Sequence, residues 1–525
     1  MKLATRIQFP FQSKRVLRFT WISIILLCLS LIGWANDEVR QPDVKNPKEL
    51  IKQAEKFVRK GNLLDAEKIL VDIIDKDSTN AKAKLVLSHI YLKQRKLIES
   101  YNLAFDVAKN DPKSARALAL IGMVLLNNGN FKDSLAVLNR AWTLDNQEPL
   151  AWYGYGMLSF YENRIEEGLV GLERAEYFSS DDCDIIFSLA QVLARAEKYK
   201  EAADEYNKFL SVSPKSDLER RARIKGLIDF LRYLGNKQEL YKVDSNTKRT
   251  IVPIELLRDR PIIEVKVNGK EDKLRFVLDT GSGISVISQE TAQKMKIKPI
   301  SKGGTARAVG GDGKFEIVYG FLNTVSIGDS RVRNVPVYIR KFHDDGERVD
   351  GYIGLSLISK FLTTVDYGTS TFTLTKKNNE SVASFEKESI ALPLRLTSSG
   401  FLSGEVQLSG MEIPLNFIVD TGASISVISS DIANTKEMSQ FSIAEKMRVV
   451  GAAGVTENVS SYILPKVTFG THTRESVKAI ALDLDVINEA SGFEQAGILG
   501  GNFLKNYRLT FDFQNSKVTF VPVKK

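Results

Sequence analysis

At 525 residues the chain is too long for one hydrophobic core and predicts several domains. Its 43% hydrophobic and 26% charged residues are ordinary for a soluble globular chain. The formal net charge of +9, from 73 Lys and Arg against 64 Asp and Glu, is spread along the chain, so it marks no nucleic-acid site. Cys183 is the one cysteine beyond the first 36 residues, which excludes an intramolecular disulfide framework and argues against a thiol enzyme. His89, His343 and His472 have no neighbours at metal-ligand spacing, so zinc hydrolase and Ser-His-Asp chemistry lose support and no cofactor or metal is implied.

Residues 1–36 form a unit of their own. Lys2, Arg6, Lys14, Arg15 and Arg18 precede an uncharged run from Phe19 to Ala35, the pattern of an export signal or an N-terminal membrane anchor. The apolar core from Trp21 to Trp34 is 14 residues, short of the roughly 20 that span a bilayer. Small residues at Gly33 and Ala35 favour cleavage after Ala35, and retention as an anchor through residues 19–35 is the alternative. Either way the chain beyond Asn36 is expected on the periplasmic or extracellular side.

From 46 to 235 the sequence repeats with a 34-residue period. An apolar residue recurs at Leu63, Leu97, Phe131, Ile165 and Tyr199, and a small one three positions later at Ala66, Ser100, Ser134, Gly168 and Ala202. Two helices need small residues where they approach closely, while Ile73, Val107, Ala141, Ala175 and Phe209 are placed to bury against the next hairpin. The period predicts one helical hairpin copied five times, with a capping helix over Asp217 to Leu234. With Trp152, Gly122, Gly156, Pro112 and Pro214, the segment resembles a tetratricopeptide repeat array, which implies a superhelix whose concave face takes peptides or partner proteins. A spacer between membrane and C-terminal half is the competing reading. Residues 236–260 read as a linker or an edge strand.

The C-terminal half is a duplication. Phe276-Val277-Leu278-Asp279-Thr280-Gly281 matches Phe417-Ile418-Val419-Asp420-Thr421-Gly422, each an Asp-Thr-Gly closing a run of apolar residues that reads as a buried strand. Asn268-Gly269 and Ser409-Gly410 each end 10 residues before the acid, so each Asp ends the second strand of a predicted hairpin. Gly310, with Gly311 and Gly313, stands 31 residues after the first acid, and Gly451, with Gly454, 31 after the second. Gly351-Tyr352-Ile353-Gly354 then matches Gly497-Ile498-Leu499-Gly500.

These motifs resemble the aspartic peptidases, specifically the retropepsin-like branch, over residues 261–525. The resemblance implies two all-β lobes, 261–376 and 391–525, joined by a hydrophilic linker at 377–390. It implies catalytic roles for Asp279 and Asp420, with Thr280, Gly281, Thr421 and Gly422 supporting the dyad. Gly310, Gly311, Gly313, Gly451 and Gly454 would belong to two flaps over a polypeptide substrate. The second flap is poorer in glycine, leaving Thr456 to Val459 open to a plain loop reading. Ser282 after one motif and Ala423 after the other suggest inequivalent acids. The expected whole is a helical solenoid followed by two retropepsin-like lobes: an exported aspartic endopeptidase whose repeats recruit protein. The alternatives are a peptide-binding scaffold that does not cut, and lobes that pair between two chains.

Overall fold

The computed structural model describes residues 46–237, 239–244, 247–311, 313–343, 346, 348–377 and 391–524. Residues 1–36 and 378–390, where the sequence predicts an export segment and most of an inter-lobe linker, lie outside them. Among the described residues no helix is long and apolar enough to cross a membrane.

Eleven helices follow one another among the described residues, from α1 (Pro47–Arg59) to α11 (Leu218–Gly235). The second helix of each hairpin begins at Leu63, Leu97, Phe131, Ile165 and Tyr199, the apolar positions of the repeat. Three residues on, the small side chains are buried and let two backbones touch. Ser134 Oγ donates to the Gly122 carbonyl at 2.8 Å, and Ser88 and Ser100 each donate to the other's carbonyl at 2.8 Å. A Cβ on Gly171 would sit 2.6 Å from the Gly156 Cα. Close approach of this kind is what a small residue permits.

The turn inside each hairpin carries a residue with left-handed backbone: Gly61, Arg95, Gly129, Asn163 and Glu197, with φ between 58° and 80°. For a residue with a Cβ this conformation costs about 1–2 kcal/mol. The three that bear that cost all hold the C-terminal half. Arg95 pairs with Glu494, the Asn163 amide donates to the carbonyls of Phe513 and Gln514 at 3.1 Å each, and Glu197 accepts from Lys360 at 2.9 Å. Beside them Phe493, fully buried, packs edge-on against Phe131 and Tyr161. At the other end α11 lies on the first lobe, where Phe230 stacks on Tyr319 and Tyr233 meets Phe321 edge-on. Along one edge the array is thus docked onto both lobes.

The lobes repeat one topology. In the first, the strand Leu274–Leu278 pairs in parallel with Gly351–Ile353, which runs antiparallel to Ser285–Ser288, itself parallel to Ser330–Arg340. The second sets Leu415–Val419, Gly497–Leu499, Ser426–Ser429 and His472–Leu482 in the same order and senses. Between them lies a six-stranded sheet to which both contribute: Phe361–Asp366 of one pairs with Tyr507–Asp512 of the other. Its edge strand Arg249–Pro253 comes from the stretch read as a linker or edge strand, and pairs with Thr371–Lys376. Ile251 and Val252 are adjacent and carry no period that could fix that pairing from sequence.

Gly226 on α11 tests the docking. A Cβ there would meet the Lys302 carbonyl oxygen at 2.0 Å and the Gly303 Cα at 2.5 Å, while its own carbonyl accepts from Ser301 Oγ at 2.9 Å. Gly226→Leu is expected to lift α11 off the first lobe and raise the radius of gyration measured by small-angle scattering. An unchanged scattering curve would show that the interface does not depend on this contact.

Candidate active site

The two motif acids occupy equivalent ends of two buried strands. Asp279 N–H donates to the Ile353 carbonyl and Asp420 N–H to the Leu499 carbonyl, both at 3.0 Å, so the parallel neighbour strand fixes each acid's backbone. That neighbour must begin with glycine: a Cβ on Gly351 would lie 2.2 Å from the Phe276 ring, and one on Gly497 2.2 Å from the Phe417 ring.

A reciprocal hydrogen-bond set ties the two acids' loops together. Thr280 Oγ1 donates to the Val419 carbonyl and Thr421 Oγ1 to the Leu278 carbonyl, both at 2.7 Å. The backbone N–H groups return the contact, Thr421 N to Thr280 Oγ1 at 3.0 Å and Thr280 N to Thr421 Oγ1 at 3.2 Å. Both threonines are fully buried, so each hydroxyl is donor and acceptor with no water to replace it. These bonds lie within one chain, so the two lobes meet without a second copy.

The glycines after the threonines admit the opposite acid. A Cβ on Gly281 would be 2.4 Å from the Asp420 carboxyl carbon, and one on Gly422 2.7 Å from that of Asp279. Each glycine N–H also donates to its own lobe's acid, Gly281 to Asp279 Oδ1 at 2.9 Å and Gly422 to Asp420 Oδ1 at 2.8 Å. The two carboxyls are thus brought together across the interlocked loops. Burial pushes Asp279 well above the usual carboxylate range, and the charge of Asp420 adds to this; burial raises Asp420 too, against the pull of the Gly422 N–H. Two acids so placed hold one proton between them, and that proton belongs to the pair. Ser282 does not distinguish them through its hydroxyl, which donates to the Ile284 carbonyl at 2.8 Å.

Both glycine-bearing segments are hairpins that meet tip to tip. The strands Ser301–Arg307 and Lys314–Ile327 form one, Ser442–Gly451 and Gly454–Phe469 the other. Ala453 N–H donates to the Val309 carbonyl at 3.1 Å across the gap. A Cβ on Gly310 would be 2.3 Å from the Gly454 carbonyl oxygen, one on Gly451 2.2 Å from that of Val309, and one on Gly311 2.8 Å from that of Ala453. Gly313 stands away from this contact and closes its own hairpin by donating to the Gly310 carbonyl at 2.9 Å. Thr456 to Val459 are strand, with Thr456 opposite Val449 and Val459 opposite Met447, which removes the plain loop reading.

Asp279 and Asp420 open onto a cavity of about 3240 Å³ that also takes in Val309 and Gly451 of the hairpins. Its wall includes residues to which no local motif pointed. Tyr352 and Ile498 come from the two Gly-x-x-Gly strands, where the duplication itself was the available signal. Tyr161 and Arg195 come from the helical array, and nothing in the repeat marks them as cleft residues. A Cβ on Gly400 would be 2.3 Å from an Arg195 guanidinium nitrogen, and one on Gly283, just past the first motif, 2.5 Å from the Ser399 carbonyl oxygen. Array, second lobe and first acid's loop are therefore in series. Cys183, also on this wall, has its thiol pushed up to about 12 by burial and the charge of Asp184, which leaves it protonated and unreactive.

Residues 263–357 and 404–503 match the family model described as aspartyl protease, one match in each lobe. No curated relative matches the sequence. Among solved structures, the aspartic proteinase from Irpex lacteus is 15% identical and aligns over 53% of this chain and 98% of its own, with a TM-score of 0.37. A thermophilic TPR protein of Thermus thermophilus is 16% identical over 35% of this chain and 99% of its own, with a TM-score of 0.30.

Two outcomes follow from this geometry. Replacing both Thr280 and Thr421 by Val orphans buried backbone groups on each side, at about 1–3 kcal/mol apiece, and is expected to lower the calorimetric midpoint by more than about 5 °C; an unmoved midpoint would deny the grip its structural role. For the acids, a folded-state pKa above the unfolded one means the native state binds more protons. Their contribution is therefore intact below the unfolded carboxylate range and is lost as pH rises through the raised values. Asp420→Asn, which cannot ionise, is expected to melt above the parent at neutral pH and to lose that advantage in acid. A gap that stays constant with pH would contradict the raised values.

Proposed function

We propose that this chain, whose two lobes match the aspartyl protease family, is an exported aspartic endopeptidase that cuts peptide bonds with a water activated between Asp279 and Asp420. The observation that carries the reading is the pair itself: two intact acids from equivalent strand ends, each packed against the glycine that follows the other's motif in one chain, beneath two hairpins that touch.

The chemistry needs one ionised and one protonated carboxyl at the same time. The ionised member takes a proton from water, the water oxygen attacks the peptide carbonyl carbon, and the protonated member delivers its proton to the developing oxyanion. Collapse of the tetrahedral species then breaks the C–N bond, with a proton passing to the leaving amine. The singly protonated pair spans the interval between its two macroscopic pKa values, so the raised values support activity reaching above the ordinary carboxylate range. The threonine grip keeps the acids from drifting apart, and the touching hairpins exclude bulk water and offer backbone to an extended peptide.

Recruitment by the repeats is supported by the shared cavity, since Tyr161 and Arg195 of the array line the space that holds the acids. A spacer has no need to reach there. Export is supported by the basic and then apolar order of residues 1–36.

The test is digestion of an unbiased peptide mixture, from acidic to neutral pH, by the mature chain and its Asp279→Asn and Asp420→Asn variants. Cleavage by the parent and a loss of at least about 1000-fold in both variants is expected if the acids work as one unit. If the parent retains peptides without cutting them, and the variants retain them equally, the chain is a binding scaffold.

A further inference from the structure

The two lobes are copies, yet one pair of equivalent positions in the cleft differs in charge. In the first lobe the strand Ser330–Arg340 runs parallel to Ser285–Ser288, and Arg340 sits opposite Ser288. In the second, His472–Leu482 runs parallel to Ser426–Ser429, and Leu482 sits opposite Ser429. Both Arg340 and Leu482 line the cavity that holds the acids. One side of the cleft therefore carries a guanidinium where the other carries an isobutyl group.

No ion pair or hydrogen bond among the described residues engages that guanidinium, and the charge it feels is that of Asp279. Arg340 makes no ion pair with them, and its Nε is buried without a hydrogen-bond partner. Three other arginines on the cavity wall carry ion pairs, Arg220 with Asp184, Arg307 with Glu489 and Arg395 with Glu162, although the Arg220 Nε is likewise buried without a partner. The array's Arg195 and Arg223 share the unpaired state, but Arg340 is in a catalytic lobe and has an internal comparison. It is also held in place. Phe315 of the first hairpin and Phe342 lie with their ring centroids 5.5 and 5.4 Å from the guanidinium carbon. Rings so placed steady the side chain by cation–π attraction while leaving its N–H edge unused.

A half-buried cation with a buried, unused donor is costly unless something meets it. Burial lowers the Arg340 pKa, and the groups that counter this are the Tyr352 hydroxyl and Asp279. Asp279 is engaged with Asp420 and with the Gly281 N–H.

We propose that Arg340 is a specificity-determining residue that binds a carboxylate of the polypeptide substrate on the first-lobe side of the cleft. Planar guanidinium and planar carboxylate match in a two-point hydrogen-bonded pair, which neither an amide nor an apolar side chain reproduces. Leu482 confers no such demand on the other side. The inference rests on the peptidase reading for its substrate, but the carboxylate pocket itself is a matter of binding.

Two sources offer that group, an acidic side chain near the scissile bond or the free C-terminus of a peptide. The test uses the full chain and twin peptides bearing Glu or Gln at successive positions on either side of the cut, each with a free or an amidated C-terminus. At near-neutral pH the parent is expected to favour one carboxylate-bearing peptide by about 10- to 100-fold in kcat/KM, chiefly through KM. Arg340→Leu is expected to shrink that ratio to near unity, and Arg340→Lys to retain part of it. If the favoured peptide is the Glu one, the source is a side chain; if it is the free-ended one, the source is a chain terminus. A parent indifferent to all twins, or a preference that survives in Arg340→Leu, overturns the proposal. So does a ratio unmoved while the pH profile shifts, because Arg340 would then serve the acids alone. Binding of the same peptides to the Asp420→Asn chain, read by fluorescence anisotropy, separates the two readings. A carboxylate preference there with no cleavage by the parent would sink the peptidase and keep the pocket, while equal binding by all twins would remove the pocket.

Discussion

Two buried threonines hold the site together. Thr280 and Thr421 each donate to a carbonyl of the opposite lobe and accept from the opposite threonine's N–H, so four hydrogen bonds cross an interface with no solvent to compete for them. Two carboxyls repel once both ionise, and nothing in the acids themselves would keep them together. The grip supplies that force from outside the charged groups. It also explains the residues on either side, since the strand before must deliver a carbonyl and the residue after must lack a Cβ.

Proximity imposed in this way sets the electrostatics. The pair is desolvated, each acid receives a backbone N–H from its own glycine, and the proton they share makes the site an acid and a base at once. The two glycine-bearing hairpins meet above the pair through contacts so close that glycine or alanine is needed at the tip. Val309 and Ala453 meet by a backbone hydrogen bond, and a bulkier residue at Gly310 or Gly451 would hold the tips apart.

The helical array is part of the same enclosure. Its left-handed turn positions recur every 34 residues, and the three that are not glycine are each committed to a lobe through Arg95, Asn163 and Glu197. A backbone strain repeated down the solenoid thus coincides with the surface that docks it. Through that docking Arg195 reaches the rim of the cleft at Gly400, so the array and the acids face one cavity. The lobes in turn depart from symmetry where Arg340 and Leu482 occupy equivalent places.

By itself the sequence determined what is local and periodic. Helix starts at Leu63, Leu97, Phe131, Ile165 and Tyr199, the capping helix, the two strands leading into Asp279 and Asp420 and the first glycine-bearing hairpin were all legible, because repeat spacing and turn chemistry act over short range. The chain's copies also served as each other's control. Only the tertiary structure decided what depends on contacts between distant segments. It paired Arg249–Pro253 with Thr371–Lys376 in a shared sheet, turned the Ser282 hydroxyl away from the acids, and set Arg195 and Tyr161 on the cleft wall. Arg and Glu in left-handed turns at 95 and 197 break the local rule that favours glycine, and no propensity anticipates them. Their reason lies in partners 399 and 163 residues away, Glu494 and Lys360, to which a local pattern is blind.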